Sequence, residues 1–176
     1  MSTKLKGGLS SDMVYAVYGS KSEFGPENAP RQLTKKALKP KYEGKALYEL
    51  FKEAGIRIYP VSVDADKIGD EKTYRSLSAL PGPVDVVITC LGKKQASKVV
   101  QEAADAGIKR VFFQPGTVSS EALVLCKTKG IEAAKGCMLS HWTVTGPRRF
   151  ISPCFYMGLG AAKLAAAPVA ERKQAK

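Results

Sequence analysis

An α/β fold built on a doubly wound parallel sheet of about five strands is predicted by three features of the sequence. Short apolar runs alternate with segments of helical spacing. The helical segments close on glycines, at Gly55, Gly107 and Gly130. The run at residues 84–89 carries apolar side chains on consecutive positions, as a central parallel strand covered on both faces requires.

Residues 13–18 form the first apolar, β-branched and aromatic run, stopped by Gly19-Ser20 in what reads as a tight turn. Residues 21–41 make a long first loop in which Pro26, Pro30 and Pro40 forbid a long helix, although 31–38 has room for about two turns. Long loops inside compact domains tend to be functional. From Tyr42, helical spacing of Leu47, Leu50, Phe51 and Ala54 leads to Gly55. A second strand is expected at 56–61, a polar, turn-rich stretch at 64–74 and a short helix at 75–80. After the third strand, a helix at 94–106 turns Val99, Val100, Ala103 and Ala104 inward. Residues 110–113 form a fourth strand ending at Gln114-Pro115-Gly116. Ser119 or Ser120 then caps a helix with Ala122, Leu123, Leu125 and Cys126 on its apolar side, and 131–134 is a short fifth strand. The order is Rossmann-like, because parallel neighbours need right-handed crossovers. The expected organisation is an N-terminal arm (1–12), the α/β domain (13–141) with a basic insertion at 21–41, and a basic C-terminal extension (142–176).

The 176 residues, 44% hydrophobic and 25% charged, match an ordinary globular domain and disfavour disordered or membrane classes. No apolar run reaches the ~18 residues of a membrane-spanning helix. Residues 1–11 carry Lys4 and Lys6 but no apolar core of a signal peptide, which argues against secretion. Cys90, Cys126, Cys137 and Cys154 make no CxxC pair and, with one histidine, His141, no zinc framework, so reduced and buried thiols are expected. A cytoplasmic location follows, with the mitochondrial matrix left open. The net charge of +12 is unevenly spread. Residues 42–141 hold 14 Lys and Arg against 12 Asp and Glu, a net of +2, whereas the remainder holds 14 against 4, a net of +10.

In open parallel sheets, ligands sit beyond the carboxyl ends of the strands where strand order reverses. The residues to weigh are therefore Gly19, Ser20 and Lys21, then Val61 and Ser62, then Cys90, Leu91 and Gly92, and last Gln114, Pro115 and Gly116. The first loop, G-S-K-S-E-F-G, is not the G-x-G-x-x-G dinucleotide fingerprint. It reads either as a plain turn or as one that lets backbone N–H groups approach a pyrophosphate, with Lys21 adding a point charge. NAD is disfavoured: the acid expected at the end of the second strand is missing from Val61-Ser62-Val63, with Asp64 only nearby. His141 and Cys137 have no identifiable catalytic partner, so no catalytic residue is assigned.

Gly19-Ser20, the helix running to Gly55, Ile58-Tyr59-Pro60-Val61, the stretch from Gly69 to Tyr74 and Pro83-Val84-Asp85-Val86-Val87 together resemble the small stand-alone CoA-binding proteins. These are similar to the CoA-binding domain of the succinyl-CoA synthetase α subunit. Residues 106–116 and Gly136-Cys137-Met138 continue the likeness, which covers about 14–141. The resemblance implies coenzyme A (CoA) lying across the strand ends with its phosphates by the first loop. The residues it implies as contacts are Gly19, Ser20, Lys21, Val61, Ser62, Leu91, Gln114 and Gly116, with Lys67 as a basic residue reaching a phosphate. The chain departs from the family at Ser62-Val63, where members commonly have Asn-Pro, and in its basic insertion. The phosphohistidine domain of the synthetase is missing, so a non-catalytic CoA-binding or acyl-CoA-binding module is implied.

A second reading comes from charge. Arg31, Lys35, Lys36, Lys39, Lys41 and Lys45 form a basic cluster that is a solvated loop, a contact for the ligand's phosphates, or a contact for a macromolecular acid. Lys35, Lys36 and Lys39 with Arg148 and Arg149 fit the last of these. The alternative function is a degenerate CoA-binding fold acting as an accessory subunit of an acidic assembly, such as a ribonucleoprotein, an organellar complex or a filament.

Overall fold

A computed structural model describes residues 12–25 and 43–138, together with the strand pair β1 (Lys4–Leu5) and β2 (Leu9–Ser10). The elements that follow are β3 (Tyr15–Tyr18), α1 (Lys21–Phe24), α2 (Glu43–Glu53), β4 (Ile58–Val61), β5 (Lys67–Ile68), β6 (Glu71–Lys72), β7 (Val86–Thr89), α3 (Ala96–Asp105), β8 (Arg110–Phe113), α4 (Ser120–Lys129) and β9 (Glu132–Lys135). The expected basic contacts Arg31, Lys35, Lys36, Lys39, Lys41, Arg148 and Arg149, together with His141 and Cys154, lie outside the described residues.

The main sheet has five parallel strands in the order β4-β3-β7-β8-β9. Although β3, β7 and most of β8 are buried on both faces, alternation sorts their side chains between two cores. Tyr15, Val17, Ile58, Val86, Ile88 and Phe112 face α2, where Leu47, Tyr48 and Phe51 cover them. Ala16, Tyr18, Val61, Val87, Val111 and Phe113 face α3 and α4, meeting Val99, Val100, Ala103, Ala122 and Cys126. Tyr15 and Phe51 meet edge to face with centroids 4.9 Å apart. Pro60 lies in the edge strand β4, where its missing N–H costs no ladder bond and hinders pairing with another sheet.

Helix ends follow the sequence. Ser119, rather than Ser120, caps α4, its Oγ accepting from Ala122 N–H at 3.1 Å. Gly130 ends the helix in the left-handed region at φ 66°, its N–H returning to Cys126 and Lys127 carbonyls. Ser119→Ala is expected to cost about 1 kcal/mol in urea unfolding, with no change in slope. An unchanged midpoint would count against the cap.

Three details differ from expectation. Residues 64–74 contain the antiparallel hairpin β5–β6, pairing Lys67 with Lys72 and docking Ile68 on the α2 core. The segment 75–80 forms only a 3₁₀ turn, at Leu77–Ala79. Lys45 is not a solvated basic residue: it is 6% exposed and lies 3.9 Å from Glu49 one helical turn on.

Candidate functional site

Strand order reverses between β3 and β7, so their connections diverge and leave a crevice at the carboxyl ends. The register sets Tyr18 beside Val61 and Thr89, and Thr89 beside Phe113. The residues that follow line up across the sheet as Ser62, Gly19, Cys90 and Gln114. Backbone bonds prolong the ladder: Gly19 N–H donates to Val61 C=O at 3.0 Å, Cys90 N–H to Tyr18 C=O at 2.8 Å and Gln114 N–H to Thr89 C=O at 3.2 Å.

The first loop turns at once into the single turn α1. Ser20 donates its N–H to Glu23 Oε2 at 3.2 Å, the carboxylate half of an S-x-x-E capping box, and its hydroxyl donates to the same oxygen. Lys21 N–H donates to Asp64 Oδ1 at 3.0 Å, and Ser62 Oγ donates to that oxygen at 2.9 Å. The N–H groups expected to meet a phosphate thus face two carboxylates of the chain itself.

Gly19 serves packing rather than turn geometry, and its φ is not among the positive ones. A Cβ there would lie 2.6 Å from Phe24 Cε1, and one at Gly44 would lie 2.8 Å from Phe24 Cδ1 and Cε1. The fully buried Phe24 ring is wedged between these two glycines, closing α1 onto the start of α2.

The other expected contacts divide. Val61 is buried on the α3 side, and Leu91 packs into that core as well. Ser62 is buried and occupied: its N–H donates to Tyr74 C=O at 2.8 Å, and its Oγ also accepts from Ala65 N–H at 3.1 Å. Gly116 takes φ 83° in the turn after β8, a conformation suited to glycine. Lys67 lies on the hairpin that docks on α2. Gln114 is 1% exposed; its Oε1 accepts from Met138 N–H at 3.2 Å, which fixes the amide's orientation and leaves Nε2 as a buried donor without a partner. Thr89 Oγ1, at the end of the neighbouring strand, is also buried and unpartnered.

Lys93 and Lys94 follow Gly92 in the turn between β7 and α3 and are exposed on one bank of the crevice, across from Lys21 on the β3 side. They were legible in the sequence as the residues just past the third strand. Burial pushes the Cys90 thiol well above its ordinary value, and the charges of Glu43 and Glu23 push it further, so it is no activated nucleophile. Cys90 and Cys126 are free thiols, both buried as expected. Among the described residues no group of His, Cys, Asp or Glu is gathered to hold a metal ion, and no helix is long and apolar enough to cross a membrane.

Residues 36–143 match the family described as the CoA binding domain. The chain belongs to that family. The chain is similar to the acetate–CoA ligase [ADP-forming] II subunit alpha of Pyrococcus furiosus, 33% identical over 70 residues, covering 38% of this chain and 15% of that protein. It is also similar to YneT of Bacillus subtilis, 31% identical over 78 residues, covering 44% of this chain and 58% of that protein. The matches thus span less than two thirds of either relative. Among solved structures, a conserved hypothetical protein from Pyrococcus furiosus has the same fold with TM-score 0.57 and 27% identity, over 72% of this chain and 96% of that one. A hypothetical protein from Pyrococcus horikoshii OT3 reaches TM-score 0.60 at 20% identity, a likeness of fold alone, over 80% of this chain and 95% of that one. The CoA-binding match begins after β3, while the structural likeness extends over most of the described domain.

Proposed function

We propose that the protein is a CoA-binding module that holds CoA or an acyl-CoA across the crevice without changing it chemically. Membership of the CoA binding domain family is the observation that carries the reading. The crevice fits such a ligand in two further respects. Lys21, Lys93 and Lys94 supply exposed cations for phosphate groups, and the free Nε2 of Gln114 is a buried donor suited to a carbonyl oxygen. Leaving that donor unpaired costs about 1–3 kcal/mol, a cost that a bonded ligand removes. The raised thiol of Cys90 suits packing rather than attack on a thioester.

Calorimetric titration of the full-length protein with CoA tests the reading. Binding at sub-millimolar concentration is expected, and the double change Lys93→Ala with Lys94→Ala is expected to weaken it about tenfold through lost charge-assisted contacts. Absence of heat from folded protein would overturn the proposal. Unchanged affinity in the lysine variant would remove those two residues from the site.

A further inference from the structure

We propose that the outer edge of β4 carries a docking site for single-stranded nucleic acid, where a base stacks on the Tyr59–Tyr74 pair and neighbouring phosphates meet Arg57 and Lys72. The site is separate from the crevice, and the inference does not depend on the CoA-binding reading.

Pro60 is the reason a groove exists there. Tyr74 pairs with the edge strand in parallel at Val61: its N–H donates to Pro60 C=O at 2.9 Å, and Ser62 N–H donates to its C=O at 2.8 Å. The next bond of that pairing, toward Lys72, would need an N–H on Pro60. Pairing therefore stops, and the preceding residues form the β5–β6 hairpin instead. An open groove of about 430 Å³ remains between the end of α2 and β4, lined in part by Arg57, Tyr59, Lys72 and Tyr74. That volume lies within the range of ligand sites.

Two separate segments supply the groove with one pattern, a cation two residues before a tyrosine: Arg57-Ile58-Tyr59 and Lys72-Thr73-Tyr74. Alternate residues of an extended chain share a face, and the segments run parallel where they meet, so both cations lie toward the same end. The rings meet edge to face, with centroids 5.8 Å apart and planes at 88°. The ring that offers its edge commits neither face to that contact, and a stacking base needs one face. Arg57 and Lys72 are exposed and have no carboxylate partner among the described residues. Glu71, the one acid on the groove among those residues, is already held by Lys52 at 2.8 Å and by the Tyr48 hydroxyl. An acidic peptide would use the cations and leave the rings idle, and a duplex keeps its bases stacked on one another. An unpaired strand uses rings and cations together. The net charge of +12 further favours the approach of a polyanion.

Fluorescence anisotropy of the full-length protein with a labelled single-stranded RNA of about ten nucleotides tests the site. Tyr59→Leu with Tyr74→Leu keeps apolar bulk but removes the rings, and is expected to weaken binding about tenfold, whereas Tyr59→Phe with Tyr74→Phe should retain it. Arg57→Gln with Lys72→Gln should weaken binding and reduce the slope of log affinity against log salt by about 1–2. Lys127→Gln with Lys129→Gln removes equal charge from the end of α4 and should leave that slope unchanged. Polyglutamate and an RNA duplex of the same length should compete poorly, and saturating CoA should not displace the strand. No binding by the parent protein, or parental affinity in the folded leucine variant, would overturn the inference. So would an equal effect of the α4 pair, or effective competition by polyglutamate, duplex or CoA. Should the leucine variant fail to fold, the two glutamine pairs decide, since all four of their lysine and arginine side chains are exposed.

Discussion

Gly19→Ala is expected to destabilise the protein by about 2–3 kcal/mol, an unusually large effect for adding one methyl group. The new Cβ would lie 2.6 Å from Phe24 Cε1, well inside contact distance. A flexible side chain would move aside, but this ring is fully buried and backs onto Gly44, where the next Cβ position is 2.8 Å from two ring carbons. Relief on one side therefore creates crowding on the other. Phe24→Ala should cost about 3–5 kcal/mol by leaving a cavity beneath the first loop. The pair should be strongly non-additive: once the ring is gone, alanine at 19 has room, so the double variant should be little worse than Phe24→Ala alone. Urea unfolding of the three variants measures the coupling. Additive losses would show that Gly19 is required for another reason.

Stability is expected to fall steeply above about pH 9, through groups that the fold holds protonated. Burial pushes the Cys126 thiol from 9.0 to about 11 and raises Cys90 well above 9.0. Tyr18 is raised from 10.0, first by burial and then by Glu102, whose carboxylate oxygens accept its hydroxyl at 3.1 Å. Tyr48 is raised by burial and by its bond to Glu71. Below the ordinary values, each group is protonated in both folded and unfolded chains, and its contribution is fully present. As the pH rises past them, the unfolded chain releases protons that the folded chain keeps. Each such group then tilts the balance toward unfolding by up to about 1.4 kcal/mol per pH unit, until its folded-state value is passed. Urea midpoints measured between pH 7 and about pH 11 should be level at first and then drop. Cys126→Ala should make the alkaline fall shallower at the expense of some stability at pH 7. A midpoint independent of pH across that range would show that these groups ionise equally in both states.

The five strands of the main sheet were legible because their signals are local. Consecutive apolar residues at 86–88 and the alternation at Ile58–Val61 need only near neighbours to be read. The β5–β6 hairpin was not, since its strands are two residues long and largely polar, and Ile68 gains its meaning only by docking on α2. Lys45 likewise looked like part of a basic surface until α2 was packed. At the site, Gly19, Ser20, Lys21, Ser62 and Gln114 could be picked out from strand ends alone. Even the S-x-x-E spacing of the Ser20–Glu23 cap is readable from neighbouring residues.

By itself the sequence determined the five strands of the main sheet, the three longer helices, the glycines that close them and the likeness to CoA-binding proteins, because propensity and periodicity are properties of neighbouring residues. Only the tertiary structure decided the order β4-β3-β7-β8-β9, which puts the crevice between β3 and β7. It alone decided that Phe24 fills the space between Gly19 and Gly44, and that Asp64 reaches Lys21 while Gln114 Nε2 is left without a partner. Whether a donor is free or already satisfied depends on groups brought together from distant parts of the chain, and hydrophobic patterning carries no record of such pairings.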